Sequence, residues 1–474
     1  MMLQHLAPRA RHSRILAACV AVLALASASL TTPHQAAAAE PPSLPSGVAP
    51  LQPPLLQKDD LVAICGDSIT ARKIYSVYVQ TYLLTAAAGQ NANAMQFGWG
   101  GETAPGFLKR VENDVLRFKP TIATTCYGMN DGGYGPVRGG TVTTYKNALR
   151  DVVSKFKAAG VRTIVIGSPG VVDTKAWAGK KKDTTPEVYN NTLSELAGAA
   201  RSLAETEGCR FADVHAVMAD TMKRAKTAKG EDYIVAGTDG VHPTDNGHLI
   251  MAYAFLRALG CDGNVGTITV DLKAGTAEGT EGQKIAGTAP ATAAAGPGVK
   301  VDIESSRYPF CFPPNKDAHS AASILEFLPF QADLNRYTLV VTNIPEGAKT
   351  LKVTWGNATR TLPVADLARG INLAEEFRND NPLIPAFAKV MAAVREQQEL
   401  EGEIVMGQLN KLMTWRKFLR DDDDDNAKDK EALAEIEILA NAFTKRLNTQ
   451  RQQTATLSAT AAPARHSLTV EVAE

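Results

Sequence analysis

The chain has 474 residues, enough for two or three domains of ordinary size. Hydrophobic residues make up 45% of it and charged residues 21%, which excludes wholesale disorder. Fifty Lys+Arg balance fifty Asp+Glu, so no basic excess marks a nucleic-acid partner.

The N-terminus reads as a signal peptide over residues 1–39. Arg9, Arg11 and Arg14 form a positive segment, Ile15 to Leu30 is apolar and uncharged, and Ala37-Ala38-Ala39 offers a cleavage site before Glu40. The expected product is exported, periplasmic or extracellular. No later apolar run is long enough to span a bilayer, so no stable membrane insertion is expected after cleavage. Residues 40–57, rich in Pro and Ala, read as a tether. Of the cysteines beyond the signal, Cys65 and Cys126 end apolar runs and suit a core, while Cys209, Cys261 and Cys311 leave one disulfide open. No Cys/His spacing suggests a metal site.

From Leu61 short apolar runs alternate with amphipathic segments. Leu61–Cys65, Thr121–Cys126 and Val161–Ile166 predict buried strands, and Phe211–Val214 a short one. Ile74–Ala88, Val142–Ala159, Pro186–Glu207 and Asp245–Leu259 predict helices. This alternation over residues 58–262 implies an α/β domain with a parallel sheet covered on both faces, which binds ligands beyond the carboxyl ends of its strands.

After Cys261 the pattern changes. Gly266–Leu272, Val299–Glu304, Tyr337–Asn343 and Leu351–Trp355 predict strands of a β-rich region over 263–372, with Ala274–Gly298 as a long loop or linker. Trp355 suits core packing better than an exposed carbohydrate-binding face. Apolar faces through Leu383, Phe387, Val390, Met391 and Val394, and through Leu433, Ile436, Leu439, Phe443 and Leu447, predict a helical hairpin over 373–453. The run Asp421–Asp425 forms its solvated loop, and residues 454–474 read as a disordered tail.

The chemistry concentrates at the predicted strand-to-helix junctions. Gly66-Asp67-Ser68-Ile69 puts a serine hydroxyl beside the backbone N–H groups of a helix start. Asp239-Gly240-Val241-His242-Pro243 supplies a histidine to accept the Ser68 proton and an aspartate to orient it. Trp99-Gly100-Gly101-Glu102 allows close backbone approach to a ligand, and Asn130 of Gly128-Met129-Asn130-Asp131 offers an amide donor. His215 and His248, near predicted helix starts, suit capping or surface positions.

These four segments resemble the blocks of the GDSL esterases, or SGNH hydrolase superfamily, with Ile69 where Leu is commoner. The resemblance covers about residues 58–262. It implies a three-layer flavodoxin-like sandwich and ester hydrolysis with no metal and no cofactor. It also implies Ser68 as nucleophile, Asp239 and His242 as its partners, and an oxyanion hole from Ser68, Gly101 and Asn130. The expected reaction removes a small acyl group, acetyl favoured, from a polar and carbohydrate-like alcohol through an acyl-enzyme. The expected partner is thus a small-molecule or glycan ester. A short-chain lipase or esterase, an acyltransferase using the same site, and a non-catalytic glycan-binding protein stay open as alternatives.

Overall fold

Strand β1 (Leu61–Gly66) is buried along its whole length. Val62 and Ile64 enter one hydrophobic core, while Leu61, Ala63 and Cys65 enter another. That is the period-two alternation of a strand lying between two helical layers. The computed structural model describes residues 54–177, 184–293, 296–421 and 427–473. The signal peptide, nearly all of the tether, Lys180 to Lys182 and Asp422 to Asp425 lie outside the described residues. Parallel to β1 run β2 (Asn93–Gly98), β3 (Ile122–Cys126), β4 (Thr163–Gly167) and β5 (Arg210–Ala212), in the order β2-β1-β3-β4-β5. This flavodoxin-like order has its switch point beside β1, where crevices form at the carboxyl ends of the strands.

Eight helices accompany this sheet: α1 (Ser68–Ala71), α2 (Tyr75–Leu84), α3 (Ala104–Leu108), α4 (Val111–Asp114), α5 (Thr141–Ala158), α6 (Pro186–Glu207), α7 (Val214–Lys229) and α8 (Asp245–Ala258). Side chains of α2, α7 and α8 fill the core that receives Val62, and those of α3, α4 and α5 fill the other. Helix α6 serves both, through Tyr189 and Leu193 on one side and Leu196 and Leu203 on the other.

The β-rich region is a pair of packed sheets. One contains β6 (Asn264–Asp271), β7 (Thr276–Gly279), β10 (Arg336–Thr342) and β13 (Ile371–Asn372). The other contains β8 (Gln283–Ala293), β9 (Gly296–Ser305), β11 (Thr350–Trp355), β12 (Ala358–Pro363) and β14 (Ala464–Val472). Tyr337 of the first sheet meets Trp355 of the second with ring centroids 5.7 Å apart. Trp355 is fully buried, as core packing requires.

Two expectations are corrected here. Residues 274–298 are not a loop: β7 and β8 occupy most of them, and β8 pairs antiparallel with β9. Nor are residues 454–474 a disordered tail. β14 pairs with both β9 and β11 at the centre of its sheet, burying Leu468 and Val470. Its His466 accepts the Trp355 indole N–H at Nδ1 (3.0 Å) and meets Ser305 Oγ at Nε2 (2.9 Å). Because Nδ1 must accept from an indole, the neutral ring carries its hydrogen on Nε2. Burial holds this imidazole down at about 4. The open question of a disulfide also closes among the described residues, where Cys209, Cys261 and Cys311 are all free, as are Cys65 and Cys126.

Three short helices, α9 (Phe330–Leu334), α10 (Val364–Arg369) and α11 (Leu373–Glu376), precede the long ones: α12 (Ile384–Ile404), α13 (Asn410–Asp421) and α14 (Ala427–Ala455). A π-helical turn, Val405–Leu409, joins α12 to α13. Among the described residues no helix is long and apolar enough to cross a membrane. Helix α12 covers β2, the edge of the parallel sheet, and its side chains satisfy the strand's outward backbone groups. The Gln96 N–H donates to Glu401 Oε2 (3.0 Å), and Gln397 Nε2 donates to the Ala94 carbonyl (3.2 Å) and to Glu401 Oε1 (2.7 Å). Burial pushes the Glu401 carboxyl up to about 8, against the hydrogen bonds and the nearby Arg451 and Lys73 that favour its anion.

The parallel-sheet half and the β-rich half share one apolar core, which runs from α2 and α8 into both later sheets. Polar contacts cross the same boundary. The Tyr82 hydroxyl donates to the Leu334 carbonyl (2.8 Å), and Arg257 pairs with Asp333 (3.1 Å). Truncation after Asp262 is therefore expected to expose apolar surface on α2 and α8 and to give aggregated protein. Size-exclusion chromatography tests this; a monomeric, active truncated domain would refute it. Glu401 generates a second prediction. Its folded-state value lies above the ordinary carboxylate range, so its contribution to stability is full below about pH 4.5 and is lost as pH rises towards 8. Between pH 5 and 8 the urea midpoint of the wild type should fall more steeply than that of Glu401→Gln. Parallel profiles for the two proteins would contradict this.

Candidate active site

Ser68 is the first residue of α1, directly beyond the carboxyl end of β1. Asp67 caps this turn, its Oδ1 accepting the Ile69 N–H at 2.9 Å. Ser68 Oγ lies 2.8 Å from Nε2 of His242, 174 positions away in the chain. The other ring nitrogen, Nδ1, lies 2.6 Å from Asp239 Oδ2. A carboxylate only accepts, so Nδ1 carries the hydrogen and leaves Nε2 as an acceptor facing the serine hydroxyl.

The Asp239 carboxylate also shapes its own loop. Its Oδ1 accepts the backbone N–H groups of Val241 (3.0 Å) and His242 (2.9 Å). Burial alone would raise this carboxyl, but those N–H groups and the imidazole outweigh it and hold the group at about 2. Asp239 therefore stays ionised through the neutral range. Glycine is required at 237, where φ is +91° and a Cβ would stand 1.7 Å from the His242 carbonyl oxygen.

Gly101 and Asn130 arrive from the neighbouring strands. Gly101 follows β2, Asn130 follows β3, and β1 lies between those strands. At a strand spacing of about 4.8 Å, the three loops meet over one short stretch of sheet edge. Gly101 has φ +72°, with open space where a Cβ would stand. Among the described residues neither its N–H nor that of Ser68 finds an acceptor. Asn130 Nδ2 donates to the Glu102 carbonyl at 3.0 Å, tying the β3 loop to the β2 loop. Asp131 adds two ties, accepting from the Ala104 N–H (2.9 Å) and the Gly128 N–H (3.0 Å). Glu102 forms a buried pair with Arg110, which also stacks on Trp99 with its guanidinium carbon 5.3 Å from the ring centroid.

All five residues singled out from sequence thus gather at the carboxyl end of the sheet. The two residues set aside behave differently from each other. His215 at the start of α7 lies against the Gly170 carbonyl (Nδ1, 3.1 Å), a local structural contact. His248 is no surface group: it is fully buried, stacks on Tyr75 (6.1 Å), and burial pushes it down to about 3.

Sequence reasoning missed the residues that hold the histidine loop. Asp173, after β4, accepts from buried Lys226 of α7 (2.9 Å), and its own N–H donates to the Gly240 carbonyl (2.9 Å). From the β-rich half, the His319 carbonyl accepts the Asn246 N–H (3.0 Å), and Ser323 Oγ lies 2.7 Å from the Tyr233 hydroxyl. An isolated Asp or Lys carries no motif, and these partners lie 53 to 90 positions apart.

Comparison with known proteins agrees with this geometry. Residues 64–250 match the GDSL-like lipase/acylhydrolase family. An acetylxylan esterase of Geobacillus stearothermophilus is 24% identical over 192 residues, covering 39% of this chain and 80% of that protein. The solved structure of BT4096, a gut microbial diltiazem-metabolizing enzyme, superposes with a TM-score of 0.67 at 21% identity, covering 89% of this chain and 99% of its own. The fold similarity therefore extends through the β-rich and helical regions as well. The structure of Axe2, an acetylxylan esterase from Geobacillus stearothermophilus, covers 44% of this chain and 96% of its own at 21% identity and a TM-score of 0.36. Residues 64–250 thus carry a match to the GDSL-like lipase/acylhydrolase family, and with the acetylxylan esterase similarity this supports an esterase acting on carboxylic ester bonds.

Proposed function

We propose that the protein is an exported serine esterase that removes a small acyl group, acetyl foremost, from a carbohydrate alcohol. The observation that carries the catalytic part is the line from Ser68 Oγ through His242 to ionised Asp239, with separations of 2.8 and 2.6 Å. Ser68 Oγ attacks the acyl carbonyl as its proton passes to His242 Nε2, and Asp239 stabilises the imidazolium. The N–H groups of Ser68 and Gly101 and the Asn130 amide receive the negative charge on the carbonyl oxygen. Collapse breaks the bond to the alcohol, which leaves with the proton from His242, and the acyl group remains on Ser68. Water, deprotonated by His242, then attacks the acyl-enzyme and releases the acid.

The acetylxylan esterase similarity supports a carbohydrate ester. The loop from Gly132 to Gly140 is mostly glycine with Tyr134 and offers no large apolar lid, which suits a small acyl group better than a long chain. Export rests on the N-terminal signal pattern and places the enzyme among extracellular or periplasmic glycans.

Ser68→Ala and His242→Ala should each abolish ester hydrolysis with the circular dichroism spectrum unchanged. Asn130→Ala should lose about 10²- to 10³-fold in turnover. A fluorophosphonate probe should label the wild type and not Ser68→Ala. Ester hydrolysis by folded Ser68→Ala would end the nucleophile assignment. In a series of p-nitrophenyl esters, turnover should fall steeply from acetyl to octanoyl, and acetylated xylan should release acetate. Faster turnover of octanoyl than acetyl esters would overturn the carbohydrate acetyl reading while leaving the serine chemistry intact.

A further inference from the structure

Asn130 is useful as an oxyanion donor only if its amide faces the right way, since a flipped amide would present oxygen to the developing charge. The hydrogen bonds around it settle the orientation. The Glu102 carbonyl only accepts, so the atom 3.0 Å from it is Nδ2. The other end of the amide, Oδ1, then faces the Tyr134 hydroxyl at 2.8 Å, and the tyrosine must donate. With one Nδ2 hydrogen committed to Glu102, the second remains for the substrate.

Tyr134 is held there at some cost. Its φ is +54°, the left-handed region that bulky side chains rarely adopt. Such conformations persist where the surroundings over-determine them and tend to cluster at functional sites. Here the restraint is aromatic: the Tyr134 ring stacks on Tyr189 (5.1 Å, 26°) and lies 6.4 Å from Trp177. Tyr189 in turn donates its hydroxyl to the carbonyl of Met129, the residue before Asn130. The rings therefore fix both the backbone and the side chain of the β3 loop.

We infer that Tyr134 is a positioning residue for the oxyanion donor: its hydroxyl holds the Asn130 amide with Nδ2–H towards the substrate and strengthens that donor by polarising the amide. The cooperative part follows from chained hydrogen bonds, in which a donor at the amide oxygen increases the acidity of the amide N–H. This assignment rests on the oxyanion role proposed above for Asn130.

The test is a mutant cycle on purified full-length enzyme with p-nitrophenyl acetate. Tyr134→Phe keeps the ring stacked on Tyr189 and removes only the hydroxyl. Its kcat should fall about three- to tenfold, the effect of one lost hydrogen bond, with KM little changed. Combined with Asn130→Ala, it should cost nothing further, because the group it orients is gone. Wild-type kcat in Tyr134→Phe, or a loss that multiplies that of Asn130→Ala, would overturn the assignment while the serine mechanism stands. Tyr134→Leu removes ring and hydroxyl together; activity lost only in that variant would also overturn it, by showing that packing alone matters. If Asn130→Ala itself has wild-type turnover, the oxyanion reading fails and this inference fails with it.

Discussion

The histidine of this site sits on a loop that no strand anchors. Ser68, Gly101 and Asn130 each follow a strand of the parallel sheet, so backbone pairing sets their positions. His242 follows α7 and a stretch from Gly230 to Thr244 that has no strand among its residues. A separation of 2.8 Å from Ser68 Oγ must then be enforced by side chains and turns. Asp239 does this inside the loop by accepting two N–H groups, and the same carboxylate orients the imidazole. Asp173 with Lys226 fastens the loop to β4 and α7, at the cost of burying an ion pair whose charges must satisfy each other.

The β-rich half reaches the histidine loop by the same kind of contact. The His319 carbonyl and Ser323 hold the residues on either side of the histidine from the outside. The segment carrying them packs against α8, whose first turn begins three residues after His242. The C-terminal strand β14 in turn stabilises the sheets from which that segment hangs, through the His466, Trp355 and Ser305 contacts in their core. Helix α12 closes the opposite edge of the molecule's parallel sheet, using Gln397 and Glu401 where another strand would otherwise pair. The later half is thus part of the structure that fixes the Ser68–His242–Asp239 geometry.

What was legible in the sequence follows from how locally each feature is determined. β1, β3 and β4 are short apolar runs closed by glycine or a turn, and Pro186 with Glu207 and Gly208 marks both ends of α6. The Ser68 and His242 motifs were legible because glycine and aspartate at fixed spacing make the turns that present them. β2 carries the polar residues Asn93 and Gln96, and its outward backbone groups at Ala94 and Gln96 are satisfied by α12 from some 300 positions away, so its strand character has no local signature. β8 pairs through its backbone while offering Thr, Ala and Gly, which read equally well as a linker. β14 does alternate, with Leu468, Val470 and Val472 on one face, but its polar partners and its place at the chain end obscure that pattern. His248 was misread because nothing in its own turn announces Tyr75 as a stacking partner.

The electrostatics of the site floor complete the picture. An oxyanion forming at Ser68 would be opposed by nearby carboxylate charge, and three mutually interacting acids sit in the loops after β1, β2 and β3: Asp67, Glu102 and Asp131. Burial pushes Asp67 up to about 7 and Asp131 up to about 6, against backbone N–H groups that favour their anions. The mutual repulsion of these acids adds to the rise. Glu102 is neutralised differently, by a two-pronged pair with Arg110. The acids serve as hydrogen-bond anchors for the β1, β2 and β3 loops; near neutrality Asp67 is about half protonated and Arg110 offsets Glu102, while Asp131 stays mostly ionised and is held by two backbone N–H groups. Asp239 is held ionised at the far side of His242, where in the proposed mechanism its charge would favour the imidazolium formed as Ser68 attacks. In the proposed mechanism the full charge of Asp239 thus lies where a cation would form, while burial and Arg110 reduce the charge of Asp67 and Glu102 near the site of the anion.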